Sequence, residues 1–255
     1  MMRFLVLGTL GLLSLFFHPC YSAADSPGGI FVIPANQLPD VWDVSGNYSE
    51  NDFGVTNNFT LVQDDKGKIT GQGNASSVQG SLNVGLNFDI RGKIKVVGGT
   101  TRVDLKARYK GQATDGIQVY RARGNISFKS EVNNATNELV GTAKGTICIR
   151  RIGCLRINDP ITFTIPPPED GTWTLTLNIN DTIPNKLFGT GTATLINGRQ
   201  EVFTLDGNYN SRTDVSKLRL KGTAGKITMH VQIVSAVVAI QRMTGKMLGQ
   251  DVKNP

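Results

Sequence analysis

Arg102-Val103-Asp104-Leu105-Lys106-Ala107-Arg108-Tyr109-Lys110 is the stretch whose reading decides the fold. Val103, Leu105, Ala107 and Tyr109 alternate with Arg102, Asp104, Lys106, Arg108 and Lys110. A period of two sends successive side chains to opposite faces of a strand, so this segment reads as a strand with one dry face and one ionic face. The same alternation runs through Trp173, Leu175, Leu177 and Ile179 against Thr172, Thr174, Thr176 and Asn178. It recurs in Ile227, Met229, Val231 and Ile233 against Lys226, Thr228, His230 and Gln232. Such segments are half-buried antiparallel strands. No long window shows a helical period, although Val231 to Met243 is apolar enough to leave a short helix open.

Turn chemistry separates the strands at short intervals. Asp64-Asp65-Lys66-Gly67 marks one hairpin, Val97-Gly98-Gly99-Thr100 a second and Ile196-Asn197-Gly198-Arg199 a third. The Asn-Gly pair of the last favours a type I′ turn. This spacing predicts an all-β chain, an antiparallel meander of about fourteen to sixteen strands forming barrel-like or sandwich segments. A degenerate repeat supports the meander: Lys68-Ile69-Thr70-Gly71, Glu138-Leu139-Val140-Gly141, Lys186-Leu187-Phe188-Gly189 and Lys246-Met247-Leu248-Gly249 share one pattern. Glycines recurring inside strands suggest sheets that coil and close.

Pro166-Pro167-Pro168-Glu169-Asp170 interrupts the pattern, because proline cannot donate to a ladder. We read 166–170 as a linker between a first β domain, 41–165, and a second, 171–255. The rival reading is a crossover inside one continuous sheet. Each domain opens with a tryptophan early in a strand, Trp42 and Trp173. Residues 25–40 read as an N-terminal linker. Gly171-Thr172-Trp173 with its alternating strand, and the hairpin from Phe59-Thr60-Leu61 through Gly67-Lys68-Ile69-Thr70-Gly71, resemble the opening elements of calycin-type up-and-down β-barrels such as lipocalins and avidins. That resemblance implies closure and a cavity for a small ligand. The aromatic box of an avidin pocket has no counterpart in a chain with two tryptophans.

Residues 1–24 read as a secretory signal peptide: Arg3 precedes an apolar run from Phe4 to Phe17, and small residues at Ser22 and Ala24 put cleavage near Asp25. No later run reaches membrane length, so no transmembrane segment is expected once the leader is removed. The mature protein is expected to be secreted or periplasmic. Its thiols are then Cys148 and Cys154, with five residues between them, and its one imidazole is His230. In an oxidising compartment such a pair favours a local disulfide over a metal site, and a four-ligand zinc cage is one Cys/His ligand short. No metal and no cofactor are expected.

Charge is distributed unevenly. Residues 91 to 156 carry fourteen Lys or Arg against four acids, a net of +10, whereas the rest of the mature chain carries 12 bases against 16 acids. Alternation places Lys93, Lys95, Arg102, Lys106, Arg108 and Lys110 on the wet side of neighbouring strands, while Arg150, Arg151 and Arg156 flank the disulfide hairpin. These nine form the candidate anion-binding set. Like charges on adjacent strands repel unless an anionic partner compensates them, and the guanidinium fork suits phosphate, sulfate or carboxylate. An ordinary solvated face that guards the sheet against edge association is the competing reading.

Nucleic acid is a poor partner, since aromatic stacking platforms beside the cations are scarce. An anionic envelope glycan, a lipid surface or an acidic protein fits better. No catalytic set is assigned: Asp64-Asp65, Glu169-Asp170 and Asp181 are turn or linker carboxylates, and His230 falls on the polar side of its strand. The chain therefore reads as an exported, non-enzymatic binding or structural protein of the cell envelope or extracellular space. The alternative is a calycin-like carrier of a small apolar ligand, with an envelope hydrolase third.

Overall fold

A computed structural model describes residues 27–52, 55–164, 171–234 and 237–254. Residues 1–24, expected to be a leader, and the proline run lie outside them. The described residues form sixteen strands: β1 Gly29–Ile33, β2 Gly46–Asp52, β3 Val55–Gln63, β4 Lys68–Gln79, β5 Leu82–Val97, β6 Thr100–Thr114, β7 Val119–Asn133, β8 Glu138–Ile149, β9 Gly153–Thr164, β10 Trp173–Ile183, β11 Lys186–Leu195, β12 Gln200–Asn210, β13 Val215–Gly222, β14 Gly225–Val234, β15 Val237–Met247 and β16 Gln250–Lys253. The only helical turn among them is a 3-10 turn at Ala35–Gln37. No described helix is long and apolar enough to cross a membrane.

The strands form two eight-stranded antiparallel sheets that curl into half-barrels. The first is the meander β2 to β9; the second runs β1-β10-β11-β12-β13-β14-β15-β16. The first sheet is thus inserted between two hydrogen-bonded neighbours of the second. Gly29–Ile33, read from sequence as linker, pairs with β10 instead. Phe31 and Ile33 are buried in the second core while Ile30 and Val32 face out, so this short alternation covers the otherwise open edge of β10.

The described residues from Val231 to Met243 are not helical; they pair as β14 and β15, with Val231, Val238 and Met243 buried and Ile233 and Ile240 half-buried. Trp42 precedes β2 rather than lying in a strand. The Asn197-Gly198 turn is not type I′ either, because Gly198 alone is left-handed (φ 82°) and its N–H donates to Leu195 O at 2.9 Å, a type I turn with a glycine bulge. The type I′ geometry falls at Gly98 and Gly99, with φ 59° and 82°.

Curling depends on glycines facing the concave side. A Cβ on Gly111 would run into the carbonyl oxygen of Gly85, and one on Gly145 into that of Asn125, so the backbones approach where only hydrogen fits.

The two sheets meet at a polar seam. Leu38 and Val41 enter the second core, while Trp42 and Val44 enter the first. Gln250 Oε1 accepts the Trp42 N–H at 3.0 Å, and the Nε2 groups of Gln63 and Gln250 donate to Trp42 O at 3.1 and 2.7 Å. Buried amides from both sheets thus satisfy one peptide unit. Beside them Arg199 pairs with Asp43 at 3.3 Å, Asp65 at 2.6 Å and Glu201 at 2.6 Å, and donates to Gln63 O at 2.6 Å. Burial works against the Arg199 charge, but the Glu201 and Asp43 carboxylates outweigh it and hold its pKa above the ordinary value.

Candidate functional site: a hollow sheet with a cationic back

The antiparallel meander fixes two ends of the first sheet. The β3–β4, β5–β6 and β7–β8 turns lie at the seam end, where Gly67 meets Leu248 and Asn134 Nδ2 donates to Asp40 at 2.8 Å. The β2–β3, β4–β5, β6–β7 and β8–β9 turns lie at the opposite, open end. Along parts of the concave face, packing loosens from the first end toward the second, although Ala113 and Ala122 are buried near the open end. Val103 and Leu105 are buried, but Ala107 and Tyr109 only half so; Leu139 and Ala143 are buried, but Ile147 and Ile149 only half so.

What remains is a cavity of about 780 Å³ lined by side chains from β2 to β9. Its walls are mainly aliphatic and aromatic, among them Phe59, Phe88, Tyr109, Phe128, Ile147 and Phe163. Phe163, on edge strand β9, reaches across the incomplete barrel to Phe128 (5.1 Å), Phe59 (5.4 Å) and Tyr48 (6.5 Å). Aromatic contact thus bridges the two edges near the seam, with no ladder between β2 and β9. Pro160 within β9 helps keep that edge unpaired.

The polar lining residues are few: Glu50, Asn57, Ser76, Ser77 and Asp159, with no Lys or Arg. Burial, and secondarily the charge of Glu50, pushes the Tyr109 phenol up to about 12. Burial, with Asp43 next, does the same to Tyr48. Both hydroxyls therefore stay protonated and neutral at physiological pH.

The convex face answers the charge question. Register places Lys95, Arg102 and Glu131 in one row at the seam end, then Lys68, Lys93, Asp104 and Lys129 in the next. Arg91, Lys106, Ser127 and Lys144 follow, then Asp89, Arg108, Asn125, Thr146 and Arg156. Toward the open end come Lys110, Arg123 and Cys148 opposite Cys154, and finally Gln112, Arg121 and the Arg150-Arg151 turn. The strand cations and the disulfide hairpin therefore share one face.

They are not equivalent. Lys95 pairs with Asp104 and Arg102 with Glu131, each at 2.8 Å, so the seam end is largely neutralised. Lys106, Arg108, Lys110, Arg150, Arg151 and Arg156 make no ion pair among the described residues. Cys148 and Cys154 form the cross-strand disulfide that their spacing suggested.

The carboxylates weighed for catalysis have local duties. Asp64 accepts the Lys66 and Lys68 N–H groups, Asp65 pairs with Arg199, and Asp181 accepts the Gly28 N–H. Glu169 and Asp170 lie outside the described residues. His230 stands between Lys217 and Arg242 on the outer face of the second sheet. Among the described residues no three His, Cys, Asp or Glu could hold a metal ion.

The residues of the sequence point to the cations and the dry faces, whereas a cavity is implied only by the calycin resemblance, which assigns none of its lining residues. The small Ala107 between Leu105 and Tyr109 is the one inward lining position on β6 that leaves space. No family model, curated protein or solved structure matches the chain.

Proposed function

We propose that this is an exported binding protein whose first sheet holds an apolar ligand in its hollow. The observation that carries the reading is the 780 Å³ apolar cavity, a size at which pockets of about 300–1,000 Å³ take whole small molecules. Leaving so many aliphatic and aromatic side chains facing water is unfavourable by about 25 cal/mol for each Å² kept wet, and an apolar occupant removes that cost. A few hydroxyl, amide and carboxylate groups among the walls would orient a ligand with hydroxyl or cationic substituents, and the absence of Lys and Arg there disfavours a buried anion. The apolar leader and the disulfide support export. The calycin-like carrier implied by the opening motifs is the same kind of protein.

A second reading concerns the convex face, where register gathers the free cations for an anionic partner. The ligand reading is tested with N-phenyl-1-naphthylamine, an uncharged apolar fluorophore. Wild-type protein should bind it with a blue-shifted, enhanced emission, and Ala107→Phe, which fills the hollow, should reduce binding at least tenfold while the fold persists by circular dichroism. Equal binding by wild type and variant would contradict the reading.

A further inference from the structure

The turns at the open end carry large apolar side chains on their tips. Ile117 is 90% exposed in the β6–β7 turn and Val119 64% at the start of β7; Ile152 is 50% exposed in the β8–β9 turn and Leu155 65% just beyond it, while Val78 is 68% exposed at the end of β4. A turn usually shows water a polar residue, so an isoleucine held at 90% exposure calls for a reason.

Ile117 is also held firmly. Asp115 Oδ1 accepts the N–H groups of Ile117 and Gln118 at 2.9 and 2.7 Å, and Tyr120 Oη donates to Asp115 Oδ2 at 3.2 Å. Those backbone hydrogen bonds lower the Asp115 pKa and occupy the acid locally. The β8–β9 turn is held by the Cys148–Cys154 disulfide, and its Arg150 N–H donates to Arg121 O at 2.8 Å.

Around these tips stand Lys110, Arg121, Arg123, Arg150, Arg151 and Arg156, none of them ion-paired among the described residues. Apolar side chains projecting from ordered turns, ringed by arginines, fit a surface that is anionic outside and hydrocarbon within. A soluble polyanion would use the cations and leave the tips in water.

We propose that the open end of the first sheet docks on an anionic lipid bilayer, with Ile117, Val119, Ile152 and Leu155 entering the acyl boundary and the arginines meeting the head groups. The mouth of the hollow then faces the membrane, because Ile152 and Leu155 line both. The inference goes beyond the ligand reading and does not rest on it.

The test is co-sedimentation of the mature chain with vesicles of phosphatidylcholine and phosphatidylglycerol in equal parts, against phosphatidylcholine alone. Each arginine near an anionic surface contributes about fivefold in affinity, so Arg121→Ser, Arg150→Ser and Arg151→Ser together should weaken binding to the mixed vesicles by on the order of a hundredfold. Ile117→Ser with Leu155→Ser, both exposed and therefore compatible with folding, should weaken it about tenfold. Replacing Arg91, Lys93 and Lys129 by serine removes equal charge nearer the seam and should cost less than about threefold.

Insertion is read separately. Tryptophan fluorescence of Ile117→Trp should be quenched by lipids brominated on their acyl chains, whereas that of Ile196→Trp, in an exposed turn of the second sheet, should not. Equal losses from the two charge variants, unquenched Ile117→Trp, or retention on heparin without vesicle binding would overturn the proposal. Ala107→Phe should bind vesicles as wild type does, so failure of the ligand reading leaves this result standing.

Discussion

Two sheets with the same strand number and the same meander have opposite interiors. The second is filled: Trp173, Leu175, Leu177, Phe203, Leu218, Leu220, Ile227, Met229, Met243 and Met247 are all buried, and β1 comes alongside β15 to narrow the gap. The first leaves a cavity of about 780 Å³ between its inward side chains. Strand length separates them. Those of β5 and β6 have 16 and 15 residues, about 50 Å of extended chain, whereas β13 and β14 have 8 and 10. The extra length of strand carries the first sheet past its own packing, so a filled interior and an open hollow are built from one plan.

Substitutions can break that comparison. Phe203→Ala in the filled barrel should cost about 3–5 kcal/mol in urea unfolding, since a fully buried ring leaves a cavity that the surroundings cannot close. Arg199→Ala should cost a similar 3–5 kcal/mol or so, because the nearly buried Asp43 and Glu201 carboxylates lose their cation, and Arg199→Lys should recover part of it. The same unfolding curves check both, and a loss below about 1 kcal/mol would remove the ionic seam from the reasons the sheets stay joined.

Smaller effects sharpen the contrast at the hollow. Reducing Cys148–Cys154 frees a short loop, and the chain-entropy relation gives a loss of about 2 kcal/mol, visible as faster hydrogen exchange confined to β8 and β9. Ile147→Ala, facing the hollow and only half-buried, should cost about 1 kcal/mol, well below its counterparts in the filled barrel.

Alkaline pH should act on the first sheet through its buried phenols. Folding raises Tyr48 and Tyr109 to about 12 from 10, so it favours the protonated form. Their contribution is complete below pH 10 and is lost as pH climbs toward 12, with phenolate absorbance appearing together with unfolding rather than before it.

Much of this was legible in the chain. Alternation at Arg102 to Lys110 named the wet and dry faces, Gly67, Gly98 and Gly198 marked hairpins, and the spacing of Cys148 and Cys154 proposed their bond. The register left undetermined by sequence brings the strand cations and the arginine hairpin onto one face, with β7 alone between β6 and β8. Gly29–Ile33 escaped notice because five residues alternate too briefly to stand out, and its partner β10 lies more than a hundred residues away. The place and lining of the hollow, which the calycin resemblance implies only in kind, were not legible for a different reason. Period two tells which side chains face inward, but whether they meet depends on how far the sheet curls and how long its strands run. Ile117, an apolar residue in an Asp-Gly turn, was the local clue to the open end.

The most direct test of a filled and a hollow half-barrel is native mass spectrometry of the protein purified gently from its source. Wild-type protein should carry the mass of a small apolar molecule, released by organic extraction, and Ala107→Phe expressed in the same cells should be recovered without it. Identical bare masses for both proteins, together with no uptake of N-phenyl-1-naphthylamine by the wild type, would contradict the claim that the first sheet is a container.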